Sequence, residues 1–225
     1  MSQKLAAAID HTLLKPDATP DQITQLCQEA AAHRFASVCV PPCYVRFAAE
    51  QLQNTGVPVC TVIGFPLGYA LAKVKFFEAH QALADGATEL DMVINVGALK
   101  AGRLEEVEEE IGQLAELCHL RGAILKVIIE TALLTEDEIV TACQLCVEAG
   151  ADFVKTSTGF ANRGASVADI MLMRRSLPGG VRIKASGGIR TRTAALALLA
   201  AGADRIGSSN SLALLEEPSH ETSAT

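Results

Sequence analysis

Short apolar runs alternate with helix-like segments from Ile9 to Ile206 without a break. Eight of these runs read as strands: Ile9–Leu13, Ala36–Val40, Val57–Ile63, Thr88–Ile94, Ile124–Ile129, Phe153–Thr156, Val181–Ala185 and Asp204–Ile206. Helices are expected from Thr19 to about Ala32, from Pro41-Pro42 to about Gln53, and from Leu71 to Ala84. Further helices are expected over Leu104–Arg121, Glu136–Ala149, Val167–Ser176 and Arg192–Ala201. Thr19-Pro20-Asp21 carries a hydroxyl N-cap with proline at the first helical position, and Thr135/Glu138 and Ser166/Asp169 have capping-box spacing. A weak repeat marks the joints from helix to strand: Asp85-Gly86-Ala87-Thr88, Gly150-Ala151-Asp152 and Gly202-Ala203-Asp204. Eight strands separated by helices in 225 residues predict an α/β protein, a closed (β/α)8 TIM barrel forming one domain over 1–225. A doubly wound open sheet is the competing architecture, but the dinucleotide fingerprint that usually follows its first strand is missing here. The chain from about 213 to 225 turns polar and is expected to be a mobile tail.

The strand pattern is interrupted in a telling way. Phe153-Val154-Lys155-Thr156-Ser157 places Phe153, Lys155 and Ser157 on one face and Val154 and Thr156 on the other. An ammonium inside a buried strand is costly without a partner or a role. Asp91 in Leu90–Asn95, Lys126 in Leu125–Glu130 and Lys184 in Val181–Ser186 sit the same way, with apolar residues on the alternate parity. Four such placements point to one shared polar interior. Polar residues also gather at the strand ends where a barrel keeps its chemistry: Asn95, Glu130, Ser157, Ser186 and Ser208.

Composition narrows the setting. The chain is 49% hydrophobic with a formal net charge of −7, which disfavours a nucleic-acid or membrane surface. Residues 1–8 lack a signal-peptide pattern and no apolar run is long enough to span a bilayer, so a cytoplasmic location is expected. The seven cysteines sit in apolar segments, as reduced buried thiols do. Cys143-Gln144-Leu145-Cys146 lies within a helix and reads as core, and Cys39 and Cys43 flank a strand end near the expected active face. No His-Cys-Asp cluster with metal spacing appears among His11, His33, His80, His119 and His220, so a zinc-dependent mechanism is disfavoured.

Two loops suit an anion. Ser186-Gly187-Gly188-Ile189 follows the seventh strand and leads into Arg190-Thr191, where a helix begins; Gly207-Ser208-Ser209-Asn210 follows the eighth. Glycines let backbone N–H groups approach a phosphate, and a helix N-terminus favours negative charge. Thr158 and Gly159 could complete the cradle, giving Thr158, Gly159, Ser186, Gly187, Gly188, Gly207, Ser208 and Ser209 as candidate substrate contacts. A lysine becomes nucleophilic when its amine is neutral, which burial beside a second cation favours, and Lys184 is the natural second cation for Lys155. Asp91 is placed to pass protons. A lysine beside a phosphate site suggests Schiff-base chemistry on a sugar phosphate.

The chain resembles the deoxyribose-phosphate aldolase family from Ile9-Asp10-His11-Thr12 to Gly207-Ser208-Ser209. The resemblance is carried by Leu90–Asn95, Leu125–Thr131, Phe153–Phe160 and Lys184–Ile189. It implies an imine on Lys155, proton transfer by Asp91 and Lys184, and reversible cleavage of 2-deoxy-D-ribose 5-phosphate to acetaldehyde and D-glyceraldehyde 3-phosphate, with no metal and no organic cofactor. Small-molecule partners and a homo-oligomer, dimer or tetramer, are expected, with no nucleic acid or membrane. Relatives often end in a tyrosine, whereas this chain closes His220-Glu221-Thr222-Ser223-Ala224-Thr225, and Asn210 stands where some relatives have serine. A phosphosugar isomerase or epimerase using Lys155 and Asp91 only as acid and base is the alternative enzyme, and a non-catalytic phosphate-binding barrel is a third reading.

Overall fold

In a computed structural model that describes residues 2–216, each strand pairs in parallel with the next and the eighth pairs with the first. The strands are β1 (Ile9–Thr12), β2 (Ser37–Val40), β3 (Val59–Ile63), β4 (Glu89–Val93), β5 (Ile124–Ile128), β6 (Phe153–Lys155), β7 (Arg182–Ser186) and β8 (Arg205–Ser208). The helices are α1 (Ser2–Ala6), α2 (Pro20–His33), α3 (Val45–Gln51), α4 (Ala72–Ala84), α5 (Val96–Lys100), α6 (Leu104–Leu120), α7 (Glu136–Glu148), α8 (Val167–Ser176), α9 (Arg192–Ala200) and α10 (Ser211–Leu215). The order of pairing is that of a TIM barrel. Strand residues of one parity, such as Leu90, Met92, Val127, Val154, Ile183 and Ala185, pack with the helices in one core. The other parity fills the interior, and that is where the ionisable residues go.

Capping explains where several helices begin. Thr19 and Thr135 accept from Gln22 N and Glu138 N, and both glutamine and glutamate return to the cap backbone, so both boxes are complete. The box expected at Ser166 is only half formed. Ser166 accepts from Asp169 N, but the Asp169 carboxylate takes Thr131 Oγ1 and Arg163 instead. Asn95 caps α5, a helix the sequence pattern did not reveal.

Most strand boundaries move by a residue or so, and three of the shifts bear on the fold. Val57 and Pro58 precede β3, because Pro58 has no N–H for the ladder; its carbonyl accepts from Val38 N instead. Gly207 and Ser208, expected in a loop, are the last residues of β8, held there by register partners Asp10, His11 and Ser186. The polar tail expected from 213 begins later: Ala213–Leu215 belong to α10, with Leu214 fully buried, while 217–225 lie outside the described residues.

One helix is packed inside out. α4 faces the barrel with Lys75, Ala79 and Ala82 and turns Val74, Phe76 and Phe77 to solvent. The fully buried Lys75 donates to Val93 O at 2.7 Å and to Glu110 at 2.9 Å. Burial presses the Lys75 pKa down and the Glu110 pKa up, against the pull of each on the other. Gly64 makes room for this lysine: a Cβ there would lie 2.7 Å from Lys75 Cε, and its φ of +62° also favours glycine. No helix among the described residues is long and apolar enough to cross a membrane.

Candidate active site

The interior charges converge on Asp91. Its Oδ2 accepts from Lys155 Nζ and Lys184 Nζ, each at 2.7 Å, and its Oδ1 from Lys126 Nζ at 2.8 Å. Register explains the meeting: Asp91 lies opposite Lys126 on β5, and Lys155 opposite Lys184 on β7. A second carboxylate, Asp10 on β1, pairs with Lys184 and with Arg205 Nη1, the latter at 2.6 Å. A third, Glu89, lies 2.7 Å from Lys126 and 3.5 Å from Arg205. The three lysines, Asp10, Glu89 and Asp91 are all buried.

Burial opposes every one of these charges, and the neighbours decide the outcome. Lys126, Lys155 and Lys184 hold the Asp91 carboxyl well below the usual carboxylate range. Lys184, Lys126 and Arg205 likewise hold Asp10 down. Asp10 and Asp91 hold Lys184 above the usual lysine value, and Asp91, Cys60, Glu89 and Asp10 do the same for Lys126. Lys184, the second cation expected from sequence, thus shares its charge with two carboxylates, Asp10 and Asp91. Counting formal charges leaves four cations against three carboxylates. Lys155 is the lysine whose charge can be removed with the loss of a single ion pair, because Asp91 is its one carboxylate partner among the described residues.

Above Lys155 opens a cleft of about 300 Å³. All eight candidate substrate contacts line it: Thr158, Gly159, Ser186, Gly187, Gly188, Gly207, Ser208 and Ser209. Lys155 lines it as well, whereas Asp91 and Lys184 lie beneath. The backbone N–H groups of Gly159, Gly187, Gly188 and Ser209 donate to no protein acceptor among the described residues. Gly159 and Gly187 have φ of +89° and +87°, and a Cβ on Gly187 would press within 2.9 Å of Gly164 Cα. Gly207 is required for a different reason: a Cβ would lie 2.5 Å from Ser186 Oγ and 3.2 Å from Lys184 Cε. Thr158 departs from its expected part. Its N–H and hydroxyl both go to Glu130, so it shapes the cleft and offers those donors to no ligand.

The sequence pattern had marked Lys126 without assigning it a role, and it missed Asp10, Glu89 and Arg205. Glu89 stands two residues before Asp91 on the same strand, and that i, i+2 spacing is the signal that could have found it. Lys15 and Arg190, both exposed, add positive charge to the cleft lining.

Among the described residues, the group of metal-ligating side chains that comes together is Cys39, Cys60 and Asp91, whose ligand atoms lie within 4.8 Å of one another. Lys126 Nζ lies 3.2 Å from Cys60 Sγ and 2.8 Å from Asp91 Oδ1, so an ammonium already serves these donors and a dication would have to be placed against it. Burial pushes the Cys60 thiol well up, whereas a hydrogen bond with Cys60 holds Cys39 down. Cys43 is exposed, and Cys143 and Cys146 are buried in α7, in keeping with a core role.

A family model for DeoC/LacD family aldolases matches residues 4–213. The chain belongs to the DeoC/LacD aldolase family. Deoxyribose-phosphate aldolase of Brevibacillus brevis is 55% identical over 207 residues, 92% of this chain and 93% of its own length. The Actinobacillus succinogenes deoxyribose-phosphate aldolase is 50% identical over 95% of both chains. Among solved structures, a deoxyribose phosphate aldolase from Aeropyrum pernix, described as tetrameric, superposes with a TM-score of 0.90 at 36% identity, covering 96% of this chain and 91% of its own. In this family member the barrel brings the three lysines and Asp91 to one point beneath the cleft lined by the loops after β6, β7 and β8.

Proposed function

We propose that this aldolase cleaves 2-deoxy-D-ribose 5-phosphate reversibly to D-glyceraldehyde 3-phosphate and acetaldehyde through an imine on Lys155. The observation that carries the reading is one lysine bonded to a buried carboxylate at the inner end of a cleft with free backbone donors. The neutral amine of Lys155 adds to the C1 carbonyl, and loss of water leaves a protonated imine, an electron sink. A base takes the C3 hydroxyl proton, the C2–C3 bond breaks, and its electron pair forms the enamine while the C3 oxygen becomes the carbonyl of glyceraldehyde 3-phosphate. Protonation at C2 and hydrolysis then release acetaldehyde and restore the amine. Asp91 and Lys184, which share one hydrogen bond at 2.7 Å beside the amine, are the proton carriers. Glycine N–H groups at the outer end of the cleft hold the phosphate.

Borohydride reduction in the presence of acetaldehyde tests this directly. Peptide mapping should find an ethyl group on Lys155. Turnover of a phosphosugar without any reducible adduct would instead support an isomerase or epimerase.

The chain is also inferred to self-associate through the outward face of α4 and the loop before it. Leu67, Tyr69, Leu71, Val74, Phe76 and Phe77 are exposed within eleven residues, Tyr69 by 72% and Phe77 by 70%. Together they present on the order of 600 Å² of apolar surface, at the upper end of what a monomer leaves uncovered. That is most of the roughly 800 Å² each partner contributes to a standard interface. Sedimentation should give a dimer or larger species at micromolar concentration, and Tyr69→Asp with Phe77→Asp should yield a folded monomer. A monomeric parent protein would dismiss the interface.

A further inference from the structure

Glu130, directly after β5, has an unusual backbone. Its φ and ψ of 55° and 67° are left-handed. The other two non-glycine residues with positive φ, Arg34 and Asn54, lie at exposed turns, whereas Glu130 is buried at the catalytic end of the barrel. A glutamate at such angles costs free energy and persists where the surroundings dictate it. What it gains is visible: Oε2 accepts from Thr158 N at 3.1 Å and from the Thr158 hydroxyl. That hydroxyl oxygen in turn accepts from Phe160 N at 3.1 Å. The peptide between these anchors contains Gly159, whose N–H faces no protein acceptor among the described residues and which lines the cleft. The neighbouring residue reinforces the clasp. Thr131 N donates to Thr156 O at 2.8 Å, tying the same β5 loop to the chain after Lys155.

We propose that Glu130 is a positioning residue for the phosphate: by gripping Thr158 it fixes the turn that presents the Gly159 N–H opposite Gly187, and so sets the preference for phosphorylated over unphosphorylated sugar. The grip also accounts for the spent donors of Thr158, which acts on the ligand only through its neighbour. This rests on the aldolase reading and adds to it the residue that controls one of its specificities.

The experiment compares 2-deoxyribose 5-phosphate with 2-deoxyribose as substrates for the full chain, reading acetaldehyde release. Glu130→Ala removes a charged acceptor of two hydrogen bonds and should raise KM for the phosphorylated sugar roughly ten-fold or more. kcat/KM for the unphosphorylated sugar should change far less, so the ratio between the two substrates shrinks by a similar factor. Glu130→Gln, which keeps a carbonyl acceptor, should recover most of that ratio. Should Glu130→Ala fold poorly, Glu130→Gly abolishes the same carboxylate while relieving the left-handed backbone, and should show the same loss. A ratio that stays at the parent value, or equal losses on both substrates, would overturn the positioning role. Absence of acetaldehyde release by the parent enzyme would instead discard the aldolase reading itself.

Discussion

Replacing Asp91 by asparagine tests the interior charge balance most directly. The change keeps the shape but raises the excess of formal positive charge in the barrel from one to two. Asp91 is fully buried, and three ammonium groups lie 2.7–2.8 Å from its oxygens. At an effective dielectric constant near 20, each such contact is worth about 6 kcal/mol before desolvation is counted. Desolvation and repulsion among the lysines cancel much of that. Removing one partner of a buried ionic group typically costs about 3–5 kcal/mol, because the remaining charges stay buried without compensation. For a chain of this length that corresponds to a fall in melting temperature of roughly 10 °C. The loss should shrink as pH rises from 7 towards 10. In the variant the folded state gives up an ammonium proton more readily than the unfolded chain does, so it binds fewer protons and gains stability with pH. Thermal melts of parent and variant across that range are the assay. A variant that melts within two or three degrees (~1 kcal/mol) of the parent at pH 7, or whose deficit widens with pH, would refute the electrostatic argument.

Lys155→Leu takes the excess charge from one to zero, so it should leave the melting temperature within a few degrees of the parent while abolishing borohydride trapping; retained turnover would end the imine mechanism. Gly207→Ala forces a Cβ against Ser186 Oγ and Lys184 Cε, and should cost about 1–3 kcal/mol in stability together with most of the activity, read by melts and acetaldehyde release. The depressed carboxyls of Asp10 and Asp91 contribute stability that is complete above about pH 5 and is lost as the pH falls towards their folded values. The raised Lys126 and Lys184 contribute stability that is complete below about pH 10 and is lost as the pH climbs through their folded values. These four groups should therefore add no slope between those limits, so a loss of the Asp10, Asp91, Lys126 and Lys184 contributions that begins well inside them would contradict the assignment.

Much of this was legible in the chain because strand periodicity is local. Apolar residues on one parity and Asp91, Lys126, Lys155 and Lys184 on the other were enough to infer a shared interior. Register was not legible. Whether Lys155 stands level with Lys184, or Asp91 with Lys126, depends on the stagger of strands around the barrel, to which no single segment testifies. Asp10 and Arg205 lie 195 positions apart in sequence and meet only because β8 closes on β1. The direction of the Thr158 donors was hidden for a related reason: a threonine beside a glycine suits an anion, and only the left-handed turn at Glu130 reveals that they go to its carboxylate.

The seam between first and last strands has a consequence for synthesis. A ribosome emits Lys155 and Lys184 before the strand that carries Arg205, and the ring that encloses them is incomplete until that strand arrives. On the imine mechanism proposed above, a nascent chain should thus have no working amine to meet aldehydes; competence would come in one step, when the eighth strand zips shut.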